Sequence, residues 1–195
     1  MTPMRFLGKI VRLQIQPTRL KHGEGEGRVY SPEALMTAQK LALTGAGACS
    51  VAADGISTID IHNSSHPNTR NHGANALSFA FTSHYSAMQA RFGDHLGIGC
   101  AGENILIEAE QVISLKQVAR GVAIETTQGR VALGNVIVAT PCNSFSKYAL
   151  RASSATPADV KEALQFLDQG MRGYYCQLAG DLPATVMLGD RVFAI

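Results

Sequence analysis

The chain has 195 residues, 46% of them hydrophobic and 16% charged, with a formal net charge of +2; a chain of this length buries roughly 70% of its unfolded surface, which excludes disorder along its whole length. So small and dispersed a charge excludes the clustered Lys and Arg of a nucleic-acid surface, and no stretch approaches the roughly 18 uninterrupted apolar residues of a membrane span. The four cysteines, Cys49, Cys100, Cys142 and Cys176, contain no C-x-x-C pair, which excludes a zinc ribbon or a thioredoxin-like centre.

Met1 to Gly8 carries positive charge but no apolar h-region, so the chain reads as a soluble protein of a reducing cytoplasm, with one domain over residues 1–195. Gly8 to Gln16 alternates apolar and polar residues and reads as a strand with an irregularity near Val11. His22 to Gly27, with glycine at every second position, predicts a hairpin or flexible loop. Ser31-Pro32-Glu33 has the form of a helix start, serine as N-cap and proline at the first helical position, and predicts a helix to about Leu43. Thr44-Gly45-Ala46-Gly47-Ala48 then reads as the stop of that helix; a dinucleotide-loop reading fails because no strand precedes it and Ser50 holds the third glycine position.

Ile56 to Ile61 predicts a strand, followed by a polar loop through Asn75. Leu77 to Phe81 predicts a strand, and Thr82-Ser83 the cap of a helix through Phe92. Ile105 to Ile107, Val122 to Thr126, Val131 to Leu133 and Val136 to Thr140 are further short β-like runs between glycine-containing turns. Thr156-Pro157 opens a helix ending near Asp168, and Tyr174 to Leu178, Thr185 to Leu188 and Arg191 to Ala194 supply closing strands. Many short strands with two to four helices predict a mainly β fold, a β-barrel decorated by helices.

Among candidate site residues, Cys142 stands where the apolar run Val136 to Thr140 gives way to the polar stretch Asn143 to Lys147. Cysteine is the side chain here that is both a strong nucleophile and a soft metal ligand. Four imidazoles, His62, His66, His72 and His84, fall close together in sequence. Three readings stand for the polar loop: a zinc site, a solvated loop whose Asn, Ser and His side chains bond their own backbone, or an anion-recognition loop in which the planar fork of Arg70 works beside Thr69, Asn71 and His72. Asn104 in Gly102-Glu103-Asn104 suits a turn or a ligand contact equally. Arg172 between Gly170 and Gly173 is placed to reach into a cleft. Asp190 after Gly189 reads as a hairpin turn, and Cys49, Cys100 and Cys176 as packed residues.

Taken in order, Asp60-Ile61-His62, Gly102-Glu103-Asn104-Ile105, Pro141-Cys142 and Gly189-Asp190-Arg191-Val192 resemble the motifs of the MOSC domain, the C-terminal domain of molybdenum cofactor sulfurases that also occurs in stand-alone bacterial proteins. The resemblance spans about residues 56–195. It implies a β-barrel like the small barrel of pyruvate kinase. It further implies that Cys142 is catalytic, either carrying persulfide sulfur or ligating the molybdenum of a bound molybdenum cofactor (molybdopterin), with Arg70, Asn71, His72, Asn104 and Arg172 as cofactor-binding candidates. A cation such as Arg70, Arg172 or Lys147 near Cys142 would favour its thiolate. The activities implied are sulfur transfer or oxygen-atom reduction of N-hydroxylated compounds; the alternative is a non-catalytic module for a pterin or other small anion. A separate pyridoxal-phosphate desulfurase or a redox partner protein is implied, and neither nucleic acid nor membrane.

Overall fold

The computed structural model describes residues 4–52, 55–151 and 155–195, so Met1 to Pro3 of the amino-terminal segment lie outside the described residues. The elements run β1 (Arg5–Ile15), β2 (Lys21–His22), β3 (Val29–Tyr30), β4 (Met36–Ala38), β5 (Lys40–Thr44), β6 (Gly47–Val51), β7 (Ser57–Ile59), β8 (Leu77–Phe81), α1 (Thr82–Phe92), β9 (Ile105–Ile107), α2 (Leu115–Val118), β10 (Val122–Thr126), β11 (Gly129–Val138), α3 (Asn143–Leu150), α4 (Pro157–Phe166), β12 (Tyr174–Ala179), β13 (Ala184–Met187) and β14 (Arg191–Ala194).

Seven strands close into a barrel in the order β14, β10, β11, β12, β8, β9, β1, with β1 pairing back onto β14. Closure removes the exposed sheet edges that would otherwise invite pairing with other chains. The length of β1 lets it serve both seams: Arg5 to Lys9 pair with β14, Ile10 to Leu13 with β9, and its last residues with β4. A strand bends this far only where its ladder is broken, and register shifts fall at Phe6/Gly8 and at Ile10/Arg12, beside the irregularity expected near Val11. β13, β5, β6 and β7 form a second sheet.

Period-two alternation decides what each barrel strand buries. Phe79, Phe81, Ile105, Ile107, Ile124, Leu133, Tyr174 and Cys176 fill the interior. Their neighbours Ala80 and Leu106 point the other way, into a second apolar layer formed with Tyr85, Met88, Phe145, Ala149, Leu167 and Met171 of the helical side. β8 and β9 are therefore buried on both faces, which is why each reads as a nearly unbroken apolar run. β8 and β9 also pair in parallel, so both enter the barrel at the same end.

The first bulge has no room for a side chain: a Cβ on Gly8 would stand 1.7 Å from the Glu108 carbonyl oxygen. Gly8→Ala is expected to destabilise the fold by about 3 kcal/mol, read as a lower urea midpoint at unchanged m-value. An unchanged midpoint would mean that the bulge relaxes freely.

The segment 31–44 departs from the sequence reading. Ser31 does accept a hydrogen bond from the Glu33 N–H, at 3.4 Å, but only one 3-10 turn (Pro32–Ala34) follows. β4 and β5 replace the expected helix, because Leu41 and Leu43 alternate into the core and pair with β6 and β13; long-range pairing overrides a good local start signal. Thr44 to Gly47 is accordingly the turn of the β5–β6 hairpin and not a helix stop. The two runs expected around Asn135 are one strand, β11, kinked where Asn135 takes a positive φ of 52° and the register shifts. Helix α3 occupies the stretch read only as polar. No helix among the described residues is long and apolar enough to cross a membrane.

Candidate functional site

Tyr175 and Ser78 are cross-strand partners on β12 and β8. Leu77, Phe79, Tyr174 and Cys176 on either side of them fill the barrel, so alternation turns Ser78 and Tyr175 outward. Both line a cavity of about 580 Å³ built against the outside of the barrel wall. The polar loop after Ile61, the hairpin of β2 and β3, and the segment Ala139 to Cys142 supply its other walls.

Cys142 lies on that wall as the N-cap residue of α3, with φ −129° and ψ 156°. Its extended conformation follows from the end of β11, and Pro141 cannot continue the ladder. Burial raises the thiol pKa, but Arg172, the backbone N–H of Phe145 and Lys21 together outweigh it and leave the pKa below the ordinary value. The Phe145 N–H, in the first turn of α3, faces the sulfur without closing a full capping hydrogen bond. The other three thiols go the opposite way. Cys100 is pushed up to about 12, chiefly by burial and by Glu103, and burial raises Cys176 further and Cys49 less. Among the described residues, Cys142 is thus the cysteine favoured as a thiolate.

Arg172 is fixed beside it. Nη1 donates to Thr140 O at 3.0 Å and Nη2 to Ala101 O at 3.3 Å, and the guanidinium carbon lies 5.2 Å from the centre of the Phe145 ring. The chain can reach this position because Gly173 has φ +97°; a Cβ there would stand 2.6 Å from Phe79 O. Arg19, Lys21, Arg28 and Arg70 also line the cavity, and Glu103 is the carboxyl among the described lining residues. Such a lining suits an anion with several oxygens.

The motif residues divide into two groups. Asp60 is fully buried: Oδ2 accepts from Gln16 N at 2.7 Å and from Asn104 Nδ2 at 3.0 Å, and Oδ1 accepts from His62 N at 2.8 Å. Asn104 is 3% exposed; its Oδ1 accepts from Ser78 N at 3.0 Å, and its main chain bonds Gln14 and Ser78. Asp60 and Asn104 therefore tie together the chain segments flanking β1, β7, β8 and β9. His62, two residues after Asp60, and Glu103, directly before Asn104, line the cavity. His62 Nδ1 lies 3.0 Å from Asp60 Oδ1. The carboxylate accepts, so Nδ1 carries the proton and Nε2 is the ring's remaining nitrogen.

Of the residues singled out from sequence, Cys142, Arg70, His72 and Arg172 come together around the cavity. Asn104 does not line it, because its side chain is used up inside the scaffold. Asn71 does not line it either; its Oδ1 accepts from Gly73 N at 2.7 Å, a local turn contact. Lys147 lies in a neighbouring cleft with Arg28 and Lys161, while Lys21 takes the place expected for it beside Cys142. The four imidazoles do not form one cluster: His62 and His72 line the cavity, whereas His66 and His84 lie away from it. His66 Nε2 lies 3.1 Å from Pro17 O, and His84 packs between Phe81 and Tyr174 with Nε2 bonded to Ile113 O, where burial lowers its pKa to about 4. No group of three or more His, Cys, Asp or Glu among the described residues is arranged to hold a metal ion. Asp190 closes a turn by accepting from Met187 N at 2.8 Å.

The sequence reading missed Arg19, Lys21 and Arg28. They sit in the glycine-rich hairpin segment, where the only available signal was a run of basic residues among turn formers.

The fold is a closed β-barrel decorated by helices, and solved structures share it. The YuaD protein from Bacillus subtilis superposes with a TM-score of 0.61 at 15% identity, over 99% of this chain and 100% of that one. A hypothetical protein superposes with a TM-score of 0.53 at 11% identity, over 98% of this chain and 67% of that one. At these identities the likeness is one of fold. No protein-family model matches the chain, and no curated protein matches it.

Proposed function

We propose that the chain is a MOSC-type protein whose cavity holds the molybdenum cofactor or its sulfur, with Cys142 as the working thiolate. The observation that carries this reading is the position of Cys142: the cysteine whose pKa is lowered is also the one on the wall of a cavity lined by Arg19, Lys21, Arg28, Arg70 and Arg172. A cavity of about 580 Å³ falls within the usual range for small-molecule and cofactor sites.

The residues present fit molybdopterin. The cations suit its phosphate, and the thiolate is the soft donor that suits molybdenum. When bound, the cofactor would supply oxygen-atom chemistry at its metal. The protein's own part is to hold the phosphate with the arginines, to favour the Cys142 thiolate through Arg172, the Phe145 N–H and Lys21, and to orient His62 through Asp60. In the sulfur-transfer role, the Cys142 thiolate attacks the terminal sulfur of a persulfide on a separate pyridoxal-phosphate desulfurase. The S–S bond of that persulfide breaks, its cysteine leaves as a thiolate, and Cys142 becomes the persulfide.

Protein produced in a molybdenum-replete host and purified without chelator is expected to carry molybdenum and a fluorescent pterin in equal amounts, or to accept labelled sulfur from a desulfurase. Absence of metal, pterin and sulfur loading together would leave a non-catalytic anion-binding module.

A further inference from the structure

The cavity wall is rich in donors: Arg19, Lys21, Arg28, Arg70 and Arg172 carry donors only. Several acceptors on the wall are already engaged, Thr140 O and Ala101 O by Arg172 and Asn75 Oδ1 by the His72 N–H. His62 differs from these. Its backbone N–H donates to Asp60 Oδ1 at 2.8 Å and its Nδ1 lies 3.0 Å from the same oxygen, while Asp60 itself is fully buried. A carboxylate accepts only, so the contact places a proton on Nδ1 and selects that tautomer of the neutral ring. Nε2 makes no hydrogen bond with the described residues and is not sealed from solvent. The side chain is 25% exposed, and it lines the cavity.

Asp60 cannot turn away from this task. Its Oδ2 is held by Gln16 N at 2.7 Å and Asn104 Nδ2 at 3.0 Å, so the carboxylate plane is fixed by β1 and by the entry to β9, and the imidazole is fixed with it. The neutral ring thus presents one lone pair, on Nε2, in a cavity otherwise furnished to donate. His72, the other imidazole on the wall, is exposed and bonds Asn75 through its backbone N–H, with no carboxylate to choose its tautomer. The competing acceptor is the Cys142 sulfur.

We propose that His62 is a specificity-determining residue whose Nε2 accepts a hydrogen bond from an O–H or N–H of the bound ligand, with Asp60 as its positioning residue. The arginines and Lys21 supply charge to any anion. His62 adds a requirement that the anion carry a donor of its own, because a bare oxygen set against the Nε2 lone pair leaves both without a partner. The ligand class is therefore a protonated oxoanion, or an anion bearing a hydroxyl, in preference to a fully deprotonated one of equal charge. The proposal rests on the anion-binding part of the function proposed above.

The test uses the full chain with inorganic phosphate and sulfate as probes. At about pH 8.5, above the range in which imidazole ordinarily titrates, hydrogen phosphate and sulfate are tetrahedral dianions that differ in one O–H. Calorimetric titrations compare wild type, His62→Phe, which keeps a ring and loses the acceptor, and His62→Gln, whose amide oxygen restores one, with thermal melting as the check on folding. Wild type is expected to bind hydrogen phosphate about tenfold or more tightly than sulfate, and His62→Phe to bind the two within about threefold of each other, chiefly by losing affinity for phosphate. His62→Gln should recover part of the preference. Nitrogen-15 spectra of the histidine rings, with His62 assigned by its absence from His62→Phe or His62→Gln, should show a protonated Nδ1 and an unprotonated Nε2. Equal affinity of wild type for the two probes, a preference retained in His62→Phe and lost in Cys142→Ser, or a proton on Nε2 at this pH overturns the proposal while leaving the cationic cavity intact. Failure of wild type to bind either anion overturns both. Should His62→Phe lose its cooperative melting transition, the wild-type preference and the ring spectra decide alone.

Discussion

Cys142→Ser is expected to fold as wild type does and to lose persulfide loading and molybdenum retention entirely. The change is nearly isosteric at a half-buried position, so the helix start it caps is preserved. It replaces a soft, acidic thiol by a hydroxyl that stays protonated at neutral pH and ligates molybdenum poorly. Cys49→Ser, Cys100→Ser and Cys176→Ser should keep both signals, since burial holds their thiols protonated. The two buried positions, Cys100 and Cys176, should cost about 1–3 kcal/mol each by adding an unpaired hydroxyl. Sulfur transfer from a desulfurase and metal content, measured on all four variants, check this. A Cys142→Ser protein that still loads in both assays would remove the chemistry from Cys142.

Arg172→Lys is expected to weaken binding of a phosphate or molybdate-like anion about tenfold or more, although charge is retained. Arg172 uses two nitrogens to hold Thr140 O and Ala101 O while its planar face lies over Phe145. An ammonium has its donors on a single nitrogen, so it does not span the two carbonyls as the fork does and does not stack in the same way, and the segment bearing Cys142 loses part of its anchor. Arg172→Met removes the charge as well and should raise the Cys142 pKa, because Arg172 is the largest influence lowering it. Anion titration and thiol alkylation of the two variants separate these effects. Wild-type affinity in Arg172→Lys would refute the role of the guanidinium fork.

The barrel was legible where alternation and turn residues coincide. β8, β9, β10 and β12 lie within two residues of where their patterns put them. It was illegible at 31–44, where the Ser31-Pro32 start signal is real but local, and where Leu41 and Leu43 take their places only through partners in β6 and β13. Helix α3 was hidden because Asn143 to Lys147 has too few apolar residues to show a period, yet Phe145 and Ala149 bury themselves against Tyr30 and its neighbours. At the site, Cys142, Arg70, His72 and Arg172 could be chosen by residue type alone. Asn104 could not be sorted that way, since an amide serves a scaffold or a ligand equally and only its partners Ser78, Gln14 and Asp60 reveal which. Glu103 and Lys21 acquire meaning only from the fold, which sets one among the arginines and the other beside the thiol.

The central claim is that the cavity lowers the pKa of the Cys142 thiol, and the pH dependence of its alkylation tests this most directly. In a chain with Cys49, Cys100 and Cys176 replaced by Ser, the rate of reaction with iodoacetamide should rise with pH to a midpoint below the ordinary thiol value of about 8.5. It should fall back toward that value when Arg172→Met is added. A midpoint at or above the ordinary thiol value, unmoved by Arg172→Met, would contradict the account.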